Sequence, residues 1–230
     1  MTGKLSIVAT PIGNLEDITL RVLRTLKECD VIYAEDTRVI SKLLAHFGIQ
    51  KPVMRLDAAT EARKAGEVVA RLETGEHIAL VSDAGTPCIS DPGSRLVARA
   101  RGAGARIETV PGPSALTAAL SVAGIDATEF TFLGFLPHKK GRQTALKKIA
   151  TMVRPGSPQG EIPVVLYESP HRILKLLKEL EGLEVSKVTI ARELTKIHEE
   201  VVSGTPSEML AYFTAHSEAV RGELVVIVTH

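Results

Sequence analysis

The order of apolar runs in the first half of the chain limits the possible folds more than any other feature. Short β-branched runs alternate with longer stretches whose apolar residues recur at i, i+3 and i+4. The predicted strands are residues 5–9, 31–34, 77–82 and 106–110, and the predicted helices are 15–28, 37–47, 61–72, 92–101 and 114–122. This alternation predicts an α/β fold with a mostly parallel sheet covered by helices, and ligands at the carboxyl ends of its strands.

The second half follows a different order. Strands are predicted at 128–135, 163–167, 188–191, 198–202 and 223–228, and helices at 142–153, 171–180 and 206–215. The third and fourth of these strands leave little room for a helix between them, which predicts a mixed sheet. We therefore divide the chain into an N-terminal α/β domain over 1–118 and a C-terminal α/β domain over 119–230. The Pro- and Gly-rich stretch 155–160 is predicted to be an exposed loop.

Composition excludes several classes of protein. The 230 residues are 44% hydrophobic and carry a net charge of +1, which favours a folded core over disorder. No apolar run approaches the roughly 18 residues that a membrane helix needs, and the N-terminus lacks a signal-peptide pattern, so we expect a cytoplasmic protein with no membrane partner. The seven histidines are scattered singly, which argues against a bound metal.

Four motifs of the first half each follow a predicted strand. Residues 10–15, TPIGNL, contain one glycine and match neither the dinucleotide fingerprint nor the P-loop, and a tight turn with Asn14 as helix cap accounts for them. Residues 35–38, EDTR, place two carboxylates beside a guanidinium, and capping explains only Asp36 or Thr37. An internal ion pair is the alternative to a functional role for Glu35 and Arg38.

The third motif is the longest of these connections. Residues 82–93, SDAGTPCISDPG, exceed the usual connection of about 2 to 6 residues, which favours a ligand loop. Small residues allow the backbone to approach a ligand, and Ser90, Asp91 or Ser94 is predicted to cap the helix that follows. The fourth motif, PGPSA at 111–115, also fits a plain helix start with proline in the first turn.

The cations are unevenly distributed. We call residues 137–154 the basic segment, because it carries six cations and no acid: Lys139, Lys140, Arg142, Lys147, Lys148 and Arg154. A solvated helix face usually interleaves acids with bases, so this segment favours contact with a polyanion. Aromatic residues make up only 3% of the chain, with no Trp, which argues against recognition of bases by stacking on an exposed platform.

Seven motifs, in order, resemble the ribosomal RNA small-subunit methyltransferase I family of the tetrapyrrole-methylase superfamily. They are VATPIGNL at 8–15 with DIT at 17–19, EDTR at 35–38, SDAGTP at 82–87, PGPSA at 111–115, GFLP at 134–137, YESPHR at 167–172 and ARE at 191–193. The resemblance implies a two-domain class III methyltransferase fold, a homodimer, and S-adenosylmethionine bound in the cleft between the domains. It also implies 2′-O-methylation of a cytidine ribose in the decoding region of bacterial 16S rRNA, as free rRNA or within the small subunit.

The resemblance also implies which residues contact the cofactor. They are Pro11, Ser82, Asp83, Ala84, Gly85, Thr86, Pro87, Ile89, Ser114, Ala115 and Tyr167. The opening loop lacks the glycine-rich run of the tetrapyrrole branch, and Ala84-Gly85-Thr86-Pro87 stands where that branch has Gly-Gly-Asp-Pro. Both departures favour the rRNA branch of the superfamily.

A ribose hydroxyl is a poor nucleophile, so we expect a general base or a field that stabilises oxyanion character. The candidates are Glu35, Asp36, Asp83, Glu168, His171 and Glu193. Our hypothesis is that Glu35 and Asp36 face the transfer site, that Arg38 and Arg172 hold phosphate or ribose, and that Lys139, Lys140 and Arg142 contact rRNA phosphates. As alternatives, His171 is a helix-start residue and Arg192 and Glu193 form a structural pair.

Two other functions fit parts of the sequence. A tetrapyrrole methyltransferase of the precorrin or uroporphyrinogen type would share the cofactor site but would not need the basic segment. A non-enzymatic RNA-binding module would keep the basic segment and would not bind S-adenosylmethionine. Affinity for the cofactor separates the second of these from the other two.

Overall fold

A computed structural model of the chain describes residues 3–156, 161–183 and 185–230. The chain divides into two compact units, one ending at Ser114 and the other beginning at Ala115. The loop predicted at 155–160 lies outside the described residues from position 157 onward. Within the described ranges, every helix is too short or too polar to cross a membrane.

The first unit is built on a parallel sheet. Its described strands are β1 (Lys4–Val8), β2 (Val31–Ala34), β3 (Val53–Arg55), β4 (His77–Val81) and β5 (Arg106–Val110). They lie in the order β3-β2-β4-β1-β5, and every pairing is parallel. The prediction of an α/β fold with a parallel N-terminal sheet is confirmed. The sequence did not predict β3, because its three residues are mostly exposed and carry no periodic pattern.

Four helices connect these strands: α1 (Leu20–Glu28), α2 (Thr37–His46), α3 (Glu61–Glu73) and α4 (Ser94–Gly102). A single helix was predicted over 15–28, whereas the chain forms a 3-10 turn at Leu15–Asp17 and begins α1 only at Leu20. The break occurs because the side chain of Thr19 accepts a hydrogen bond from the Val22 amide at 3.1 Å and thereby caps α1.

The helices cover opposite faces of the sheet. Apolar residues of α1 and α2 pack with Val81 on one face, and those of α3 and α4 pack with Leu80 on the other. The connection after β1 runs toward β2, whereas the connection after β4 runs toward β5, and right-handed crossovers then place α1 and α4 on opposite faces. The neighbouring strands β1 and β4 therefore form a topological switch point, where open α/β sheets bind ligands.

The second unit is built on a mixed sheet, as predicted. Its described strands are β6 (Thr131–Phe135), β7 (Val164–Glu168), β8 (Lys187–Arg192), β9 (Glu200–Gly204) and β10 (Leu224–Thr229). They lie in the order β6-β7-β10-β8-β9, with β6 and β7 parallel and the remaining pairs antiparallel. Strands β8 and β9 are neighbours, which explains the short connection between them.

The helices of the second unit are α5 (Ala115–Val122), α6 (Arg142–Val153), α7 (Pro170–Glu181) and α8 (Pro206–Ala215). Side chains of α6, α7 and α8, among them Leu146, Leu177 and Phe213, form a continuous core with the sheet. Because β6 and β7 are parallel neighbours, the chain after Phe135 and the chain after Glu168 leave the same edge of the sheet. The GFLP and YESPHR motifs are thereby brought side by side.

Candidate functional site

The loops after β1, β4 and β5 meet at the carboxyl edge of the first unit. Thr10 and Gly85 form a two-way backbone bridge, with N–O distances of 2.8 and 3.0 Å. The Thr86 hydroxyl donates to the carbonyl oxygen of Pro113 at 3.2 Å. The fold therefore joins three of the motifs to which the resemblance assigns cofactor contacts, and it does so at the switch point between β1 and β4.

Internal hydrogen bonds hold the long loop at residues 82–93 in a strained conformation. The buried Ser82 hydroxyl donates to the Gly85 carbonyl at 3.0 Å, and the Thr10 hydroxyl donates to the Ser82 carbonyl at 3.1 Å. Cys88 and Ser90 have φ angles of 70° and 64°, which are unfavourable for residues other than glycine. Strain of this kind persists only where the surroundings over-determine the backbone, as they do at ligand-binding loops.

Two glycines allow these loops to pack closely against one another. Gly85 has a φ of 79°, and a Cβ there would lie 3.3 Å from Ile12 Cγ2. A Cβ on Gly112 would lie 3.1 Å from that of Ala9. The packed loops present small, half-buried residues such as Ala84, Ser114 and Ala115 at the carboxyl ends of the strands, where open α/β sheets bind ligands, so the residues fit the cofactor that the resemblance implies. Of the predicted contact residues, Pro11, Ser82, Gly85 and Pro87 are buried, Ala84, Thr86, Ser114 and Ala115 are half-buried, and Asp83 and Ile89 are exposed.

The end of the long loop is anchored by a residue that the sequence analysis missed. Glu61, only 5% exposed, accepts hydrogen bonds at one carboxylate oxygen from the amides of Gly93, Arg95 and Leu96, at 3.0, 2.9 and 3.1 Å. The prediction that Ser90, Asp91 or Ser94 caps α4 is therefore wrong. Caps are sought beside the helix start, whereas this carboxylate comes from α3, 32 residues before Gly93.

The EDTR motif lines a groove at the same edge. The groove has a volume of about 530 Å³ and is lined by Glu35, Asp36, Thr37, Arg38, Arg55 and Asp83. The Asp36 amide donates to the Asp83 carboxylate at 2.9 Å, which ties the motif to the long loop. The sequence predicted that both segments follow parallel strands, and the fold places them next to each other.

Asp36 is already committed to structural contacts. Its carboxylate accepts from the Arg38 amide at 2.9 Å, which caps α2, and it pairs with the Arg38 guanidinium. These contacts lower the pKa of Asp36 to about 2. A carboxylate held so far below neutral pH is a poor proton acceptor, which favours the structural interpretation of Asp36 and Arg38.

Two neighbouring carboxyl groups have raised pKa values instead. Burial, followed by the charges of Asp83 and Asp57, raises the pKa of Glu35. Burial, followed by the charges of Glu35 and Asp83, raises the pKa of Asp91 to about 6. The sequence pattern identifies Asp91 only as a candidate helix cap, because nothing in the sequence indicates that it is half-buried beside two other carboxylates.

This carboxylate cluster makes stability depend on pH. The folded-state pKa of Asp91, about 6, lies above its ordinary value of 3.8, so the folded chain holds the proton more tightly than the unfolded chain. Stability therefore falls as pH rises from about 4 to 6 and stays reduced above that range. We expect Asp91→Asn to raise Tm at pH 7.5 by roughly 2–4 °C, equivalent to about 1 kcal/mol after solvent screening, with no difference near pH 4. A lower Tm than wild type in thermal melts at pH 7.5 would contradict this assignment.

The second unit buries the charged residues of the YESPHR motif. The Glu168 side chain has no exposed surface and lies between Arg172, at 3.1 Å, and Arg142, at 3.8 Å. The prediction that Glu168 is a catalytic group is therefore corrected, because a carboxylate enclosed by two guanidinium groups does not reach a substrate. His171 lies exposed in the first turn of α7. Tyr167 is half-buried, and its ring makes T-shaped contacts with the rings of Phe132 and Phe135.

Two arginines predicted to contact RNA bind groups of their own unit instead, and Arg142 is buried while Arg172 is half-buried. Arg142 is 3% exposed, and its Nε and Nη2 donate to Glu179 at 2.9 and 2.6 Å, so the prediction of a phosphate contact by Arg142 is wrong. All three guanidinium nitrogens of Arg172 contact Glu168, Leu136 or His138. Counting cations along the sequence cannot distinguish arginines that are paired within the unit from free surface cations.

The remaining cations of the basic segment are exposed. They are Lys139, Lys140, Lys147, Lys148 and Arg154. The charged side chains of the ARE motif form ion pairs within the unit. Arg192 pairs with Glu200 at 2.5 Å, and Glu193 pairs with Lys196 at 2.8 Å. Each residue of the predicted Arg192–Glu193 pair therefore has a different partner, and both partners lie in the same unit.

The chain matches the family model of the Tetrapyrrole (Corrin/Porphyrin) Methylases over residues 4–210. It is 46% identical over 229 residues to Ribosomal RNA small subunit methyltransferase I of Xylella fastidiosa, covering 98% of this chain and 81% of the relative. It is 42% identical over 228 residues to the protein of the same name from Thermotoga maritima, covering 99% and 98%.

Solved structures share this fold at low sequence identity. Diphthine synthase superposes with a TM-score of 0.75 at 15% identity, covering 99% of this chain and 90% of that one. Uroporphyrin-III C-methyltransferase of Thermus thermophilus, solved in complex with S-adenosylhomocysteine, superposes with a TM-score of 0.66 at 19% identity, covering 99% and 98%.

Proposed function

Because this chain belongs to the tetrapyrrole methylase family, and within it to the ribosomal RNA small subunit methyltransferase I proteins, we propose that it methylates the 2′-hydroxyl of a cytidine ribose in bacterial 16S rRNA. It is an S-adenosylmethionine-dependent methyltransferase. The observation that supports an RNA substrate is the basic segment, with five exposed cations and no acid in its sequence. A tetrapyrrole substrate would not require that segment.

In this proposal the cofactor is held by the three joined loops of the first unit. Gly85 and Gly112 bring the backbone close, and Pro11 and Pro87 stiffen the loops around them. When bound, S-adenosylmethionine supplies a methyl group activated by its sulfonium. The main task of the chain is then alignment of donor and acceptor, which can contribute about 7 to 11 kcal/mol.

We assign the general base to Glu35. It lies at the carboxyl end of β2 in the groove beside the long loop, and its raised pKa makes it a better proton acceptor than Asp36. Glu35 would take the proton of the ribose hydroxyl as its oxygen receives the methyl group that bound S-adenosylmethionine would supply, with S-adenosylhomocysteine as the leaving group. Arg38 pairs with Asp36 through Nε and Nη2, and its exposed guanidinium lies at the rim of the same groove, where it makes a secondary contact to phosphate or ribose in this proposal.

A direct assay tests the function. Purified protein is incubated with methyl-labelled S-adenosylmethionine and either small subunits from a strain lacking this methylation or free 16S rRNA. We expect label in RNA, recovered after nuclease digestion as 2′-O-methylcytidine. Label transferred to uroporphyrinogen but not to RNA would overturn the proposal in favour of a tetrapyrrole enzyme. RNA binding without cofactor affinity in calorimetry would indicate a non-enzymatic module.

The proposed RNA contact makes a prediction about salt. Lys139 and Lys140 precede α6 and are exposed. The Lys139→Ala/Lys140→Ala variant should lose about 10-fold or more in RNA affinity, and its slope of log K against log salt should fall by about 0.7 to 0.9 for each lost phosphate contact. RNA titrations over a series of salt concentrations measure both.

The matched control removes the same charge elsewhere in the unit. Lys178, in the last turn of α7, and Lys187, at the start of β8, are both exposed and lie outside the basic segment. Lys178→Ala/Lys187→Ala should leave the salt slope within error of wild type. An equal loss of slope in both variants would mean that RNA affinity depends on the net charge of the protein and not on the basic segment.

We further propose that the enzyme acts as a homodimer in the cytoplasm, where its rRNA substrate is located. The family resemblance supports the dimer. Light scattering of the purified protein at micromolar concentration tests it, and a monomeric mass at the concentration that supports full activity would contradict it.

A further inference from the structure

Two arginines join the buried carboxylate of Glu168 to the segment that carries the first two lysines of the basic segment. Arg172 Nε lies 3.1 Å from one Glu168 oxygen, and its Nη2 donates to the Leu136 carbonyl at 2.7 Å. Arg142 Nη1 lies 3.8 Å from the other Glu168 oxygen and 3.5 Å from the Pro137 carbonyl. Each guanidinium therefore lies between Glu168 and the backbone two or three residues before Lys139, Arg172 at closer distances and Arg142 through a longer ion pair.

The network is buried, and removing its charges from water costs free energy. Glu168 has no exposed side-chain surface and Arg142 has 4%, and a charge removed from water in this way costs several kcal/mol unless it is paired. The Oε2 atom of Glu168 has no hydrogen-bond partner among the described residues. A cluster that only stabilised the core would be replaced at little cost by apolar side chains, which points to a role in orientation.

The segment held by this network is otherwise exposed. Residues 137–141 are exposed, and Gly141 adopts a φ of 86° where α6 begins. Leu136, in contrast, is buried in the core of the unit. The arginines therefore determine the path of the chain between a buried anchor at Leu136 and the first turn of α6, and Lys139 and Lys140 lie on that path.

We propose that Glu168 is a positioning residue for RNA: through Arg172 and Arg142 it fixes residues 136–140 and so places Lys139 and Lys140 against the phosphate backbone. This inference rests on the proposed function, because it assumes an RNA substrate. It assigns Arg172 to the support of the contact rather than to the contact itself.

A substitution that keeps the positive charge tests whether Arg172 positions the two lysines or contacts RNA directly. In Arg172→Lys the cation remains, but a single ammonium does not reproduce the fork that reaches both Glu168 and the Leu136 carbonyl. We expect its RNA salt slope to fall toward that of Lys139→Ala/Lys140→Ala, with a loss of RNA affinity of about 5-fold or more. Affinity for S-adenosylmethionine, measured by calorimetry, should stay within about twofold, because Arg172 does not belong to the three loops of the first unit that hold the cofactor in the proposed function.

A double-mutant cycle tests whether Arg172 affects RNA affinity through Lys139 and Lys140. When Lys139 and Lys140 are already alanine, adding Arg172→Lys should change RNA affinity by less than about twofold, because the positioned groups are gone. Glu168→Gln, which keeps the shape and removes the charge, should reproduce the loss of slope and the non-additivity. A wild-type slope in both variants, or fully additive losses, would overturn the inference. Destabilisation alone lowers Tm and the active fraction and does not change the slope.

The two proposals fail in different ways. If the wild-type protein neither binds nor methylates RNA, the proposed function fails and this inference fails with it. If wild type binds RNA and the two-lysine variant loses slope while Arg172→Lys and Glu168→Gln do not, only the positioning role is refuted.

Discussion

Replacement of Glu61 by alanine is expected to lower the free energy of unfolding by about 3–5 kcal/mol. The carboxylate accepts three backbone N–H bonds, from Gly93, Arg95 and Leu96, in a site where it is 5% exposed. Removing it leaves these donors unpaired in the interior and removes a negative charge from the N-terminus of α4. At roughly 2–4 °C for each kcal/mol, thermal melts should show a fall in Tm of about 6 °C or more.

The same substitution should weaken cofactor binding. Gly93 ends the long loop, and a Cβ there would lie 2.7 Å from Leu80 and 2.8 Å from Cys88, so its backbone has no freedom to move inward. Release of its amide loosens the loop that carries Ala84, Gly85, Thr86 and Pro87. Calorimetry with S-adenosylmethionine, at a temperature where the variant is folded, should show a loss of affinity of about 10-fold.

Two control variants isolate this effect. Glu61→Gln keeps an amide oxygen at the same place and should recover more than half of the lost stability. Glu67→Ala, on the exposed side of the same helix, removes a carboxylate that makes only a 3.7 Å surface pair with Arg63 and should cost less than about 0.5 kcal/mol. Equal melting temperatures for Glu61→Ala and Glu67→Ala would refute the role of Glu61.

Glu35→Gln is expected to reduce kcat for RNA methylation by about 100-fold or more, because a positioned general base contributes roughly 10²- to 10⁴-fold. The substitution replaces the Glu35 carboxylate, which accepts the proton, by an amide that cannot, and it preserves the size of the side chain. KM for both substrates should change little, since the base acts in the transition state. Single-turnover assays with labelled cofactor measure the chemical step directly.

Asp36→Asn is the matched comparison. Its carboxylate caps α2 and pairs with Arg38, so an amide should cost stability of about 0.5–2 kcal/mol while leaving kcat within about 10-fold. Wild-type activity should also rise with pH as Glu35 ionises, and its midpoint should lie above the ordinary glutamate value because burial raises the pKa of Glu35. Full turnover by Glu35→Gln with unchanged folding would exclude Glu35 as the base.

Much of the fold is predictable from local pattern. The structure reproduces the predicted bounds of β2, β5, α6 and α8 without change, and most other elements differ by one to three residues. These elements have strong periodicity and clear boundary residues, such as Pro206 at the start of α8. The exceptions are β3, which is too short to show a pattern, and the break before α1, where the capping preference of Thr19 outweighs apolar spacing.

The candidate site, like the fold, was predictable only in part. The sequence predicted that the loops at 10–15, 35–38 and 82–93 follow strands of one parallel sheet, and therefore that they share an edge. It did not predict which charged residues of those loops are free to act. Asp36 and Arg38 are already paired, while Asp91, considered only as a cap, has its pKa raised by its neighbours.

Apart from β3, the sequence by itself determined the order of strands and helices, the parallel and mixed sheets that follow from it, and the edge where the cofactor loops meet. Only the tertiary structure decided that Glu61 caps a helix 32 residues away and that Arg142, counted among the RNA-binding cations, is enclosed with Glu168. The physical reason is that periodicity and turn chemistry act between near neighbours in the chain. Burial and charge pairing depend on residues that meet only after the chain has folded.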